Sequence, residues 1–214
     1  MRCDLSLQSP SRRWRLTDNC NVVLAGVGGQ GILLAAEILG TAAVKEGYNV
    51  RVSELHGMAQ RGGAVISHVR IGEKALAPTI LEGTADIIVG FEPMEALRNI
   101  KFASQKTTIL VNTRPFKISG TEYPDVKEIL KKICSFTDNV VSIDAAALAE
   151  KAGTGLTLNI VMIGALIATE KLPLEIETLR EALRELVPAK YLDMNMRASE
   201  SGYEAVKAFL RRAR

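Results

Sequence analysis

Apolar residues come in short continuous runs, and between them in stripes spaced three and four apart, the rhythm of buried parallel strands crossed by helices. Val22, Val23, Leu24 and Val27 open this pattern as a strand buried on both faces. Gly31 to Glu46 reads as a helix that is apolar nearly all round, with only Glu37, Thr41 and Lys45 making a narrow polar stripe. A helix with so little wet surface has to be covered by its own sheet plus another element, or by a neighbouring subunit. Tyr48 to Glu54 reads as the second strand. Ala64 to Ile71 then alternates, with Val65, Val69 and Ile71 on one face and His68 and Arg70 on the other, which predicts a half-exposed strand in antiparallel pairing.

Two further buried strands follow, Asp86 to Gly90 and Thr107 to Asn112, separated by a helix beginning near Pro93, a favoured first-turn position. A helix from about Asp125 to Cys134 leads to a strand over Val140 to Asp144 and an alanine-rich helix through Lys151. Thr157 to Thr169 is a second helix with hardly any polar face and also needs cover on several sides. Pro173 breaks the chain, Ile176, Leu179, Leu183 and Leu186 stripe the next helix, and Pro188 ends it. Met196, Tyr203, Val206 and Leu210 stripe the last. The pattern predicts an α/β, Rossmann-like fold: a doubly wound, mostly parallel sheet of about five or six strands, helices on both faces, and a C-terminal helical extension. Residues 21–155 make the sheet-containing core and 156–214 the extension.

Composition narrows the class. With 214 residues and 47% hydrophobic content, the chain suits one large folded domain. A net charge of +3 with both signs scattered lacks the concentrated basic face of a nucleic-acid binder. Cys3, Cys20 and Cys134 share no ligand spacing, which argues against a zinc site, an iron–sulfur cluster or a disulfide framework within the chain and fits reduced cytoplasmic thiols. Residues 1–20 read as a loosely ordered basic leader without a secretory apolar segment, in which Trp14 could dock on the body or on a partner. The longest apolar stretch, Ile160 to Ala168, is too short to span a bilayer.

Candidate chemistry gathers where the first strand meets the first helix. Gly26, Gly28 and Gly31 fall at G-x-G-x-x-G spacing within Gly-Val-Gly-Gly-Gln-Gly, so a tight turn presents amides ahead of a helix N-terminus, a seat for phosphate or another anion. Gly29 and Gln30 lie inside the turn. A nucleotide site of this kind wants a carboxylate roughly 20 residues on to hold a ribose, and Glu54 stands near that place. Leu55 to Gly63 reads as a loop at the same rim, in which Gln60 and Arg61 offer donors to an anion and Gly62 and Gly63 allow close approach. His56, placed in that loop, is the better titratable candidate. His68 reads as an exposed strand residue. Asn112 and Asp144 end their strands at this rim, where an Asp serves equally as a helix cap.

Three stretches together resemble a known family: Gly-Val-Gly-Gly-Gln-Gly-Ile at 26–32, Ser-Glu-Leu-His-Gly-Met-Ala-Gln-Arg-Gly-Gly at 53–63, and Lys-Tyr-Leu-Asp-Met-Asn-Met-Arg-Ala at 190–198. The chain is similar, from about Asn21 to its C-terminus, to the beta subunit of indolepyruvate ferredoxin oxidoreductase and so to the gamma subunits of other 2-oxoacid ferredoxin oxidoreductases. The resemblance implies oxidative decarboxylation of an aryl 2-oxoacid with coenzyme A, giving acyl-CoA, carbon dioxide and reduced ferredoxin. It assigns thiamine diphosphate and iron–sulfur clusters to a larger alpha subunit and makes this chain an obligate companion, with self-association a further expectation. Two roles for the rim stay open: coenzyme A contact through Gly28 to Gly31 and Arg61, or packing on the alpha subunit beside the oxoacid pocket. A free-standing protein binding NAD(P) or a flavin through Gly26, Gly28, Gly31 and Glu54 is the alternative, and a purely structural dimerisation module a third reading.

Overall fold

The computed structural model describes residues 19–57, 62–73, 75–116 and 122–213. The readings made for the leader and Trp14, and for Gln60 and Arg61, lie outside these residues. Strands β1 (Cys20–Val27), β2 (Val50–His56), β3 (Ala64–Ile71), β4 (Ala85–Gly90), β5 (Ala103–Asn112) and β6 (Val140–Ile143) form one sheet in the order β2-β3-β1-β4-β5-β6. β1, β4, β5 and β6 run parallel, whereas β3 pairs antiparallel with both β1 and β2. The expected mostly parallel sheet is present. The second strand does not adjoin the first, because the β2–β3 hairpin folds back and puts β3 between them.

Seven helices complete the fold among the described residues: α1 (Ile32–Lys45), α2 (Pro93–Arg98), α3 (Val126–Cys134), α4 (Ala145–Ala152), α5 (Leu158–Ala168), α6 (Ile176–Leu186) and α7 (Ala189–Ala213). Their starts follow local chemistry. Glu92 caps α2 by accepting from Glu95 N–H at 2.9 Å, with Pro93 in the first position. Asp125 caps α3 and Asp144 caps α4 in the same way. Val22 and Leu24 of β1 point into a core shared with α1, α4, α5, α6 and α7, and Val23 points into a second core with α2 and α3. The C-terminal helices are therefore one face of the same body.

The two apolar helices meet different fates. Every residue of α5 from Asn159 to Ala168 is buried, and the cover comes from the chain itself. Gly164 on α5 and Gly202 on α7 let the two backbones approach so closely that a Cβ at Gly164 would stand 2.0 Å from Ser199 O, and one at Gly202 would stand 1.9 Å from Val161 O. So α5 has the cover on several sides that its composition calls for, and has it from within the chain. α1 is less completely covered than its sequence suggests. It lies on β1 to β3 and against α6, where Lys45 pairs with Glu185 at 2.9 Å, yet Leu33 is 42% and Val44 60% exposed. Its wet stripe is thus wider than Glu37, Thr41 and Lys45.

The reading of His68 as an exposed strand residue is corrected, since it is only 1% exposed. The segment after β3 turns back across the outer face of the sheet, and there Ile80 N–H donates to His68 Nδ1 at 3.1 Å while Phe102 packs edge-on to the ring at 4.9 Å. Alternation put His68 on the less apolar face of its strand; only the returning segment buries it. Burial pushes its pKa below the ordinary 6.5, with Lys101 adding to the effect. The 190–198 stretch lies in α7, a longer helix than its stripe predicts. There Arg197 donates to Ala152 O at 3.3 and 3.2 Å and so caps the end of α4.

Two outcomes are expected. Gly164→Ala and Gly202→Ala each force α5 and α7 apart and lower the unfolding free energy by about 3 kcal/mol or more in chemical denaturation, against well under 1 kcal/mol for Gly155→Ala, whose added methyl meets open space. For His68 the folded-state pKa lies below the unfolded one. Its contribution is complete above 6.5 and is lost as pH falls below that value toward the folded pKa, because the unfolded chain takes up the proton first. His68→Asn should flatten the acid side of a stability-versus-pH curve in that window.

Candidate functional site

The carboxyl ends of β1, β4, β5 and β6 form one rim, and helices leave it in opposite directions at β1 and β4, with α1 going to one face and α2 to the other. Such a reversal opens the crevice in which doubly wound sheets bind ligands. In the parallel β1–β4 ladder, Phe91 N–H donates to Ala25 O at 2.8 Å. The next rung would run from Val27 N–H to Phe91 O. Instead the Gln30 carboxamide stands between them: Val27 N–H donates to its Oε1 at 2.8 Å, and its Nε2 donates to Phe91 O at 3.1 Å.

The glycines serve this arrangement. A Cβ at Gly26 would lie 2.7 Å from Gln30 Oε1, 2.7 Å from Ile32 Cδ1 and 2.9 Å from Phe91 Cβ. Gly31 caps α1 with φ of 72°, and a Cβ there would be 2.5 Å from Asn159 Nδ2, which donates to Gly31 O at 3.1 Å. Gly29 has φ of 103° in open space. Gly28 N–H donates to Gly63 O at 2.8 Å, and Gly62 N–H to Gly28 O at 3.4 Å, so Gly62 and Gly63 are docked on the glycine turn by backbone. Two of the expected anion-seat amides are therefore engaged, Gly28 with Gly63 and Gln30 with Val27 O at 3.1 Å. The N–H groups of Gly29 and Gly31 hold no partner among the described residues, and no side chain caps α1.

The other sequence candidates divide. Glu54 is exposed at the carboxyl end of β2 opposite Ser67 of β3. With β3 intervening, β2 stands two strand spacings, about 9.5 Å, from β1. A ribose carboxylate on the strand adjoining β1 is thereby lost. His56 closes β2 opposite Val65 and is not in a loop. Asn112 is buried and structural: its Nδ2 donates to Phe91 O at 3.0 Å, and its Oδ1 accepts from Ala145 N–H at 3.1 Å. Asp144 pairs with Arg114 at 3.0 Å as well as capping α4.

Sequence reasoning missed the polar cluster on the α2 side of the rim. Glu92 and Glu95 are both buried, Tyr123 OH donates to Glu92, and Arg98 pairs with Glu95 at 2.5 Å. Burial raises the Glu95 pKa against the opposing pull of Arg98, and burial with the Glu92 bond raises that of Tyr123. The signal available was Phe-Glu-Pro-Met-Glu at 91–95, a strand end followed by a cap and first-turn proline. Exposed apolar side chains border the rim at Leu33, Leu34, Phe116 and Leu156, the last 85% exposed. Among the described residues no group of three or more His, Cys, Asp or Glu is placed to hold a metal ion, and no helix is long and apolar enough to cross a membrane.

Fold and rim define an open α/β domain with a glycine turn at its switch point. Residues 21–205 match the model of the family described as pyruvate ferredoxin/flavodoxin oxidoreductase. The chain is 45% identical over 197 residues to indolepyruvate oxidoreductase subunit IorB of Thermococcus kodakarensis, covering 89% of this chain and 97% of that one. The fold matches the keto/oxoacid ferredoxin oxidoreductase gamma subunit of Geobacter sulfurreducens with a TM-score of 0.65 and 23% identity, covering 88% of this chain and 99% of that one. It also matches 2-oxoglutarate:ferredoxin oxidoreductase of Magnetococcus marinus, solved with 2-oxoglutarate, coenzyme A and succinyl-CoA, with a TM-score of 0.71 and 20% identity over 90% of this chain and 32% of that longer one. The protein belongs to the pyruvate ferredoxin/flavodoxin oxidoreductase family, as a gamma- or IorB-type subunit of 2-oxoacid ferredoxin oxidoreductases. The free-standing NAD(P) or flavin protein is not favoured by these relatives.

The two glycines on either side of the turn separate space from backbone conformation. Gly26→Ala displaces the Gln30 carboxamide and should cost about 3 kcal/mol, whereas Gly29→Ala, strained only by its positive φ, should cost about 1 kcal/mol. Paired denaturation curves check the order, and equal losses would overturn the assignment of Gly26 to carboxamide packing.

Proposed function

We propose that this chain is the subunit of an indolepyruvate-type 2-oxoacid:ferredoxin oxidoreductase that presents a phosphate seat for coenzyme A beside the catalytic subunit. The observation that carries the reading is the pair of N–H groups of Gly29 and Gly31 at the uncapped start of α1, neither with a partner among the described residues, with Gly62 and Gly63 bonded to the turn at Gly28. Backbone amides at a helix N-terminus suit an anion, and an anionic group placed there gains about 0.3–1 kcal/mol near the surface. Arg61, in that loop by sequence, supplies a guanidinium suited to phosphate oxygens. The Magnetococcus protein, which shares the fold, holds coenzyme A.

Thiamine diphosphate and the iron–sulfur clusters belong, in this reading, to the alpha subunit, where they supply the decarboxylation and electron-transfer chemistry. The donors at this rim are backbone amides and carboxamides, which fit phosphate and not iron. What the chain contributes is orientation of coenzyme A and exclusion of water at the rim. Leu33, Leu34 and Leu156 are the exposed apolar surface that the alpha subunit covers. Gly26 shapes the turn, and His56 ends the strand that leads, in sequence, to Gln60. Ferredoxin is met through the assembled complex, in the cytoplasm, and a second copy of the complex accounts for self-association.

Co-expression should yield a complex with a thiamine-dependent subunit that oxidises arylpyruvates faster than pyruvate and needs coenzyme A and ferredoxin to do so. Arg61→Ala should weaken coenzyme A binding to that complex about tenfold in calorimetry. Equal affinity in the two complexes, or nucleotide binding and turnover by the lone chain, would overturn the proposal.

A further inference from the structure

We infer that Gln30 is a positioning residue for coenzyme A: its carboxamide, inserted into the open rung between Val27 N–H and Phe91 O, fixes where Gly29 and Gly31 present their N–H groups. This rests on the coenzyme A reading above and assigns Gln30 an indirect part in it, in place of the direct contact its spacing suggests.

The geometry is specific. Ala25 O accepts from Phe91 N–H at 2.8 Å, so β1 and β4 are in ladder register up to that point. A parallel ladder would next close Val27 N–H directly on Phe91 O. At this one rung a side chain supplies both halves of a peptide group, an acceptor for Val27 at 2.8 Å and a donor for Phe91 at 3.1 Å. The strands are held apart by the width of a carboxamide at the place where the helices reverse faces.

Three neighbours keep the insertion in place. Gly26 leaves room for it, since a Cβ there would stand 2.7 Å from Oε1. Asn112 Nδ2 donates to the same Phe91 O at 3.0 Å and ties that carbonyl to β5. Gln30 N–H donates to Val27 O at 3.1 Å, so backbone and side chain of Gln30 both hold Val27 and close the turn that contains Gly28 and Gly29. Only the carboxamide satisfies both sites without charge. A carboxylate would accept from Val27 but face Phe91 O with a lone pair until it is protonated.

The test uses the assembled complex with Gln30→Ala and the isosteric Gln30→Glu. Gln30→Ala should raise the KM for coenzyme A about tenfold or more while kcat stays within about twofold, because an ångström-scale misplacement of the seat weakens binding and leaves the partner's chemistry intact. Crystal structures without coenzyme A should show Gly29 and Gly31 displaced by about 1 Å in Gln30→Ala. Gln30→Glu, which keeps the shape should the alanine variant fail to assemble, should recover a native KM as pH falls through the protonation of its carboxyl. A tenfold rise in KM with the ligand-free glycine turn unmoved would mean that Gln30 touches coenzyme A itself and would overturn the positioning role, as would an unchanged KM. If the native complex proves indifferent to coenzyme A, the functional reading fails. The ligand-free structures then still decide whether Gln30 sets the turn.

Discussion

Where β1 parts from β4, one rung of the ladder is made by a side chain, and the rest of the rim is arranged around it. Val27 N–H and Phe91 O are strand-end groups that lose their ladder partners when the chain turns away, and a buried peptide group without a partner costs about 1–3 kcal/mol. Gln30 satisfies both. Asn112 then joins Phe91 to the start of α4 through Ala145, and Asn159 joins the turn to α5 through Gly31. Three neutral carboxamides thus tie the carboxyl ends of β1, β4 and β5 to one another, to the start of α4 and, through the glycine turn, to α5. Uncharged groups suit this place, since burying a charge there would require a counter-charge in the crevice itself.

A second constraint acts far from the rim. The close approach of α5 and α7 at Gly164 and Gly202 seals the most apolar helix inside the chain's own C-terminal arm. With α5 anchored there, its first turn is held against the glycine loop, so Asn159 reaches Gly31 from a rigid base. α1 is braced differently, by the sheet beneath it and by α6 at its far end, and its N-terminal turn keeps Leu33 and Leu34 in water beside the free amides. An exposed apolar border around a polar backbone seat fits a subunit whose site is finished by another chain.

The α2 side of the rim contributes a different chemistry. Glu92 spends one carboxylate oxygen on the cap of α2 and the other on Tyr123, and Glu95 is held beside it by Arg98. These buried carboxylates lie on the α2 side of the rim, away from the uncapped start of α1.

Short apolar runs, glycine spacing and the helix stripes were enough to determine the α/β class, the antiparallel character of β3, a helix beginning near Asp125, and the rim on which the chemistry gathers, because period and turn chemistry are local properties of the chain. Likeness across 26–32, 53–63 and 190–198 determined the family. Tertiary structure alone decided that β3 separates β2 from β1 and so moves Glu54 away, that His68 is buried by the segment returning over it, and that α5 is covered from within. It also decided that the Gln30 carboxamide is spent on the sheet, between Val27 and Phe91. Each of these depends on which distant residues meet, such as Ile80 with His68 or Phe91 with Gln30, and separations of this length leave no mark on local periodicity.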